Sequence, residues 1–163
     1  MAAPSYHLEY ATSVTPREAI EFFARELNME IVPIPDERES CTRRELDIYA
    51  YDDPPNEFTE WMEALELGVD KVLIVSFFPA KFMPEGHTES TVVAKIVAAL
   101  KRFVSENDGQ GYFTMNFEIM LGDFTGERPA FDPYLRDEID YNSSGDFDTV
   151  LSDVDVRPLM KLP

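Results

Sequence analysis

Polar and apolar positions alternate at the start of the chain. Over Tyr6–Tyr10, Tyr6, Leu8 and Tyr10 point one way and His7 and Glu9 the other, the pattern of a half-buried strand. The period then lengthens. Ile20, Phe23, Ala24 and Leu27 form an apolar stripe at helical spacing, behind a start signal in which Thr15 caps, Pro16 takes the first helical position and Glu18 closes a capping box. Asn28 is a stop. Pro33 and Pro35 break the following stretch into a loop or sheet edge. Alternation returns with Leu46, Ile48 and Ala50 opposite Asp47, Tyr49 and Tyr51. Phe58, Trp61, Met62 and Leu65 predict a second helix within residues 52–68, ended by Gly68. Val72 to Phe78 is apolar on both faces and predicts the most central strand. The longest helix is expected over about Glu89 to Glu106, with Val92, Val93, Ile96, Val97, Leu100, Phe103 and Val104 buried. A strand over 112–121 is expected to put Phe113, Met115, Phe117, Ile119 and Leu121 on one face and Thr114, Asn116 and Glu118 on the other. A turn and a short return strand follow, then the tail.

This order predicts an α+β fold: one layer of mostly antiparallel sheet, with helices on one face and the other face more polar and open to water. Phe23, Leu73, Val75, Phe77, Ile96, Leu100 and Phe117 are the expected core. The elements follow one another closely, so residues 1–163 read as a single domain with an acidic C-terminal segment from about residue 134.

Charge changes the picture more than size does. Lys and Arg total 14 against 32 Asp and Glu, a formal charge of −18. Nucleic-acid binding works by neutralising phosphates with Lys and Arg, so this surface is expected to repel nucleic acid, and anionic lipid likewise. A cationic protein partner fits instead. The single cysteine, Cys41, excludes a disulfide framework and a thiolate zinc site. Arg38, Arg43 and Arg44 lie near it in sequence and would lower its pKa, but no base partner is evident and it reads as an incidental thiol. The N-terminal stretch lacks the basic and apolar regions of a secretory signal, and Val72 to Val75 is too short an apolar run to cross a bilayer. A cytoplasmic location is expected. No glycine-rich phosphate loop, nucleophile elbow or zinc-helix motif occurs, so no cofactor is expected.

Two groups of residues attract a functional reading. The first is the acidic tail: Asp137, Glu138, Asp140, Asp146, Asp148, Asp153 and Asp155, with Tyr141, Phe147 and Leu151 as apolar anchors among them. Asp146/Asp148 and Asp153/Asp155 each make an alternate-aspartate pair, but the further ligands and glycine of a calcium loop are missing, so no metal is expected. Carboxylates that steer and apolar side chains that bury make this segment the first candidate surface for a cationic partner. The second candidate is the polar sheet face, where His7, Glu9, Asp47, Tyr49, Asn116 and Glu118 converge if the strands pair as read. A histidine among carboxylates can also serve as a base, which keeps an enzyme reading open beside the simplest one, solvated positions on a one-sided sheet. Trp61 reads as core.

The opening YHLEYATSVTPREAIEFFARELNM resembles the strand-then-helix start of the immunity proteins of bacterial swarm-inhibition toxin systems. VLIVSFFPAKF followed by a helix, then YFTMNFEIMLGDFTGERPAFDP, resembles the rest of that domain, covering Tyr6 to Pro133 and leaving the acidic tail unmatched. In those proteins a strand carrying Asn and Glu, here Asn116 and Glu118, leads into the turn. The resemblance implies a cytoplasmic, non-enzymatic protein that binds and neutralises a cognate toxin. An acidic adaptor or nucleic-acid mimic with another cationic partner is the alternative.

Overall fold

The structure is a computed structural model that describes residues 4–66 and 68–159. It is α+β: a nine-stranded open sheet in the order β2-β3-β4-β5-β1-β6-β7-β8-β9. The strands are β1 (Tyr6–Ala11), β2 (Glu30–Ile31), β3 (Glu39–Arg43), β4 (Leu46–Asp53), β5 (Val72–Pro79), β6 (Gln110–Met115), β7 (Ile119–Asp123), β8 (Ala130–Phe131) and β9 (Asp155–Val156). Every pairing is antiparallel except the parallel contact of β8 with β9.

Helices α1 (Pro16–Leu27) and α3 (Glu89–Glu106) cover one face. Thr15 and Glu18 form the capping box expected of α1, and Asn28 ends it in the left-handed conformation at φ 53°. α3 starts with an equivalent reciprocal cap between Thr88 and Thr91. Beneath the helices lies an aromatic core in which Phe23 packs on Phe77 and Phe103 at ring distances of 5.2 and 5.1 Å. Phe23, Leu73, Val75, Phe77, Ile96 and Leu100 are all buried there, as their spacing predicts.

The middle strand is β1, with the more apolar β5 beside it. β1 is buried along its whole length, His7 and Glu9 included. Its approach to β6 requires Gly111, because a Cβ there would stand 1.8 Å from the Glu9 carbonyl oxygen.

Three expectations are corrected. The long strand over 112–121 is a hairpin: Asn116 and Phe117 both take positive φ, at 55° and 61°, and the Glu118 amide donates to the Met115 carbonyl at 3.1 Å. That is the geometry of a type I′ turn. Phe117 therefore leaves the helix-covered core and lies half-buried on the opposite face. The helix read within residues 52–68 is reduced to a 3-10 turn at Pro55–Glu57 and α2 (Glu60–Glu63); Leu67 lies outside the described residues. This segment lays Met62 against Val72 and Ile74, so part of the second face is covered and apolar.

The third correction concerns the tail. α4 (Tyr134–Asp137) and α5 (Asp146–Val150) fold back on the helix layer, α5 against α3. Leu135 and Phe147 are fully buried, and Tyr141 and Leu151 nearly so, all within the main core. The Tyr6 hydroxyl donates to the Tyr141 hydroxyl at 2.8 Å, and the Ser90 hydroxyl donates to the Tyr141 carbonyl. Tyr141, Phe147 and Leu151 are thus anchors of the fold, not side chains displayed for a partner. Among the described residues no helix is long and apolar enough to cross a membrane.

Candidate functional site: a polar and aromatic row on the second face

The pairing registers build the site. Tyr49, Ser76, His7, Thr114 and Met120 stand opposite one another across β4, β5, β1, β6 and β7. The next row runs Tyr51, Ile74, Glu9 and Tyr112. Strand side chains alternate between faces, so both rows look away from α1 and α3.

His7 is 3 % exposed. Its Nε2 is 2.8 Å from the Ser5 hydroxyl and its Nδ1 is 2.7 Å from the Ser76 hydroxyl, so both ring nitrogens are engaged. Burial pushes its pKa down to about 4, leaving the ring neutral at physiological pH. Phe117 stacks on it at 3.6 Å, 17° from parallel, and Phe78 meets it edge-on at 6.0 Å. Tyr49 continues the aromatic run, 5.7 Å from Phe78, with the Arg38 guanidinium 4.9 Å above its ring.

Glu9 is 1 % exposed. Its Oε2 accepts a hydrogen bond from the Thr59 hydroxyl at 2.9 Å, while its Oε1 has no hydrogen-bond partner among the described residues. Burial pushes the carboxyl up to about 7; Asp53 adds to the rise and the Thr59 bond opposes it. The neighbouring Thr114 hydroxyl is also buried and without a partner among the described residues. A buried polar atom without a partner is costly, and two on one face mark it as polar by constraint.

The sequence-predicted residues divide cleanly. His7, Glu9, Asp47 and Tyr49 do share the second face. Asn116 and Glu118 sit exposed in the hairpin turn, where the Asn116 Oδ1 accepts from the Ser5 amide at 3.0 Å. Asp47 accepts from the Thr42 hydroxyl. Sequence reasoning missed Phe78 and Phe117, which it assigned to other roles, and Ser5 and Ser76, which complete the imidazole's partners. The position of Phe78, at even spacing from Ile74 and Ser76, carried the signal for this face.

The tail carboxylates from Asp137 to Asp153 lie on the other side of the sheet, around α4, α5 and α3, whereas Asp155, in β9, stands on the second face, where it extends the Glu9 row through Tyr112, Asp123 and Ala130. Asp137, Asp140, Asp146, Asp148, Asp153 and Asp155 are exposed, and Glu138 is half-buried. Several are already engaged: Asp137 by Arg136, Asp148 by Asn142, Asp153 by Lys101 and Asp155 by Arg128. No group of three or more His, Cys, Asp or Glu among the described residues is placed to hold a metal ion. Cys41 is buried, and burial, with Asp47 adding, pushes its thiol up to about 12, the reverse of what the nearby arginines suggest.

Comparison with protein-family models, with curated proteins and with solved structures finds no match to this chain.

Proposed function

We propose that the chain is a non-enzymatic binding protein that engages a cationic protein through the second face of its sheet. Following the resemblance of its element order to swarm-inhibition immunity proteins, the partner is a cognate toxin that it neutralises. One observation carries the reading: Phe78 is 41 % exposed beside half-buried Tyr49 and Phe117, on a chain of formal charge −18. Exposed aromatics on a rigid sheet supply interface burial at little entropic cost, and the surrounding carboxylates raise the encounter rate with a cation. An acidic adaptor for some other cationic protein would use the same surface, and the identity of the partner separates the two.

The tail contributes to this reading by field rather than by contact. Its anchors are spent on the core, and its carboxylates other than Asp155 lie on the helix side, away from the aromatic row. An enzyme built on His7 and Glu9 draws support from a carboxyl poised near neutral pH. Two facts weigh against it: the imidazole already uses both nitrogens, and Glu9 is sealed beneath Thr59.

The test pairs the purified chain with the toxin-like product of a neighbouring reading frame. A complex should form and co-expression should restore growth. Phe78→Ser should speed dissociation about tenfold or more, which corresponds to about 1.4 kcal/mol. Neutralising Asp137, Asp140, Asp146 and Asp148 should slow association at low salt and change little at about 1 M, where the Debye length is about 3 Å. Failure to form a complex, or unchanged rates for the double variant Phe78→Ser with Tyr49→Ser, would sink the proposal.

A further inference from the structure

A cavity of about 340 Å³ opens on the helix side, between the end of α1, the β3–β4 turn and α3. That volume lies at the lower end of the range for small-molecule sites, about 300–1,000 Å³. Its floor is apolar: Met29, Leu46, Val92 and Ala99 line it and all are buried. Val92, Lys95, Ala99 and Arg102 recur at helical spacing, so one face of α3 forms a wall. Ala98 and Ala99 leave the space that larger side chains would fill.

The mouth inverts the charge of the molecule. Arg43, Lys95 and Arg102 stand there against Glu26 and Glu45, three cations to two acids, on a chain where acids outnumber bases 32 to 14. Arg102 is held by Glu26 at 2.9 Å and Arg43 by Glu45 at 3.0 Å. Arg43 also donates to the Leu27 carbonyl at 3.3 Å, answering the negative end of α1. Lys95 is exposed and has no hydrogen bond or ion pair among the described residues.

From this arrangement we infer that the cavity binds a small amphiphilic carboxylate, its hydrocarbon part on the Met29–Val92–Ala99 floor and its charge at Lys95. The chemistry selects the class. A polyanion would meet Glu26 and Glu45 at the mouth. A neutral amphiphile gains nothing from Lys95, and a cationic one is repelled by it. The site is separate from the second face of the sheet, and its fate does not depend on the partner reading.

The experiment titrates the full, isotope-labelled chain with octanoate, octylammonium and octan-1-ol, each below its aggregation limit, and follows amide shifts. Octanoate should give saturable shifts at Met29, Leu46, Val92 and Ala99, with octylammonium about tenfold weaker or more. Lys95→Glu should weaken octanoate about fivefold, close to 1 kcal/mol, and leave octan-1-ol unchanged. Ala98→Leu, at an exposed position that keeps the fold, should weaken octanoate and octan-1-ol alike; unchanged thermal midpoints establish that both variants fold. Absence of saturation, equal binding of octylammonium, shifts centred elsewhere, or an inert Lys95→Glu would each overturn the inference.

Discussion

The two faces of this sheet are buried by different means. The face under α1 and α3 is dry: aromatic and aliphatic side chains fill it, and its polar atoms are few and bonded, as where the Tyr6 and Tyr141 hydroxyls meet. The face opposite is covered only by short pieces of chain, yet β1 is as buried there as on the helix side. It hides an imidazole, a carboxyl group and a threonine hydroxyl, two of them with an unpartnered oxygen among the described residues. Burial alone therefore does not distinguish core from site. The contrast is between polar atoms that find partners and polar atoms that wait for them.

The largest expected effect tests whether the tail belongs to the first face. Phe103→Ala, in the aromatic core, should cost about 3–5 kcal/mol, and Phe147→Ala should cost the same, because both rings are fully buried in one cluster. Urea unfolding measures both. A cost below about 1 kcal/mol at Phe147 would separate the tail from the fold and return its side chains to the list of partner anchors.

Next in size is a pH dependence confined to the second face. The Glu9 carboxyl rises from 4.5 to about 7 on folding, so its stabilising contribution is full below pH 4.5 and is lost as pH climbs to 7. His7 does the reverse. Its pKa falls from 6.5 to about 4, so its contribution is present above pH 6.5 and lost on acidification. Between pH 4.5 and 6.5 the two slopes oppose each other. Glu9→Gln should remove the falling slope and gain about 3 kcal/mol relative to the native protein between pH 4.5 and 7. His7→Gln should expose the falling slope, steepened by Asp53, which burial and Glu57 push up to about 6. Denaturant midpoints at five or six pH values would read this. Parallel curves for all three proteins would mean that neither group is buried in solution as it is here.

Much of the first face was legible in the sequence, because period and capping are local. Thr15, Pro16 and Glu18 announce α1, and Val92 to Leu100 announce the buried side of α3. The second face was legible only in part. His7, Glu9, Asp47 and Tyr49 fall on it by alternation alone, but nothing local says that Ser5 and Ser76 reach the imidazole. The hairpin was hidden because Asn116 is followed by Phe117 where a type I′ turn ordinarily has glycine. An unbroken alternation then read as one strand and sent Phe117 to the wrong face. The tail misled for a related reason. Its acids made it read as a surface for a cationic partner with Tyr141, Phe147 and Leu151 as anchors, while these side chains and Leu135 are spaced to dock on a layer that only the tertiary fold supplies.

The smallest expected effect on stability falls at the residue given most of the binding. Phe78 is an exposed ring on the second face, touching His7 edge-on and Tyr49 across the strand. Phe78→Ser removes those edge contacts but opens no enclosed cavity, so the loss should stay within about 0.5–1 kcal/mol. The matching change at Phe77, its neighbour in sequence on the buried face, should cost several times more by lost burial and the void it leaves. Two adjacent phenylalanines thus report on two faces by one measurement, the unfolding free energy in urea. If Phe78→Ser costs as much as Phe77→Ser, Phe78 is structural and the aromatic row is a second core without a role in recognition. If the cost is small and dissociation from the partner still quickens, the ring is held at the surface for contact, and the polar atoms of Glu9 and Thr114 lie behind the interface rather than in it.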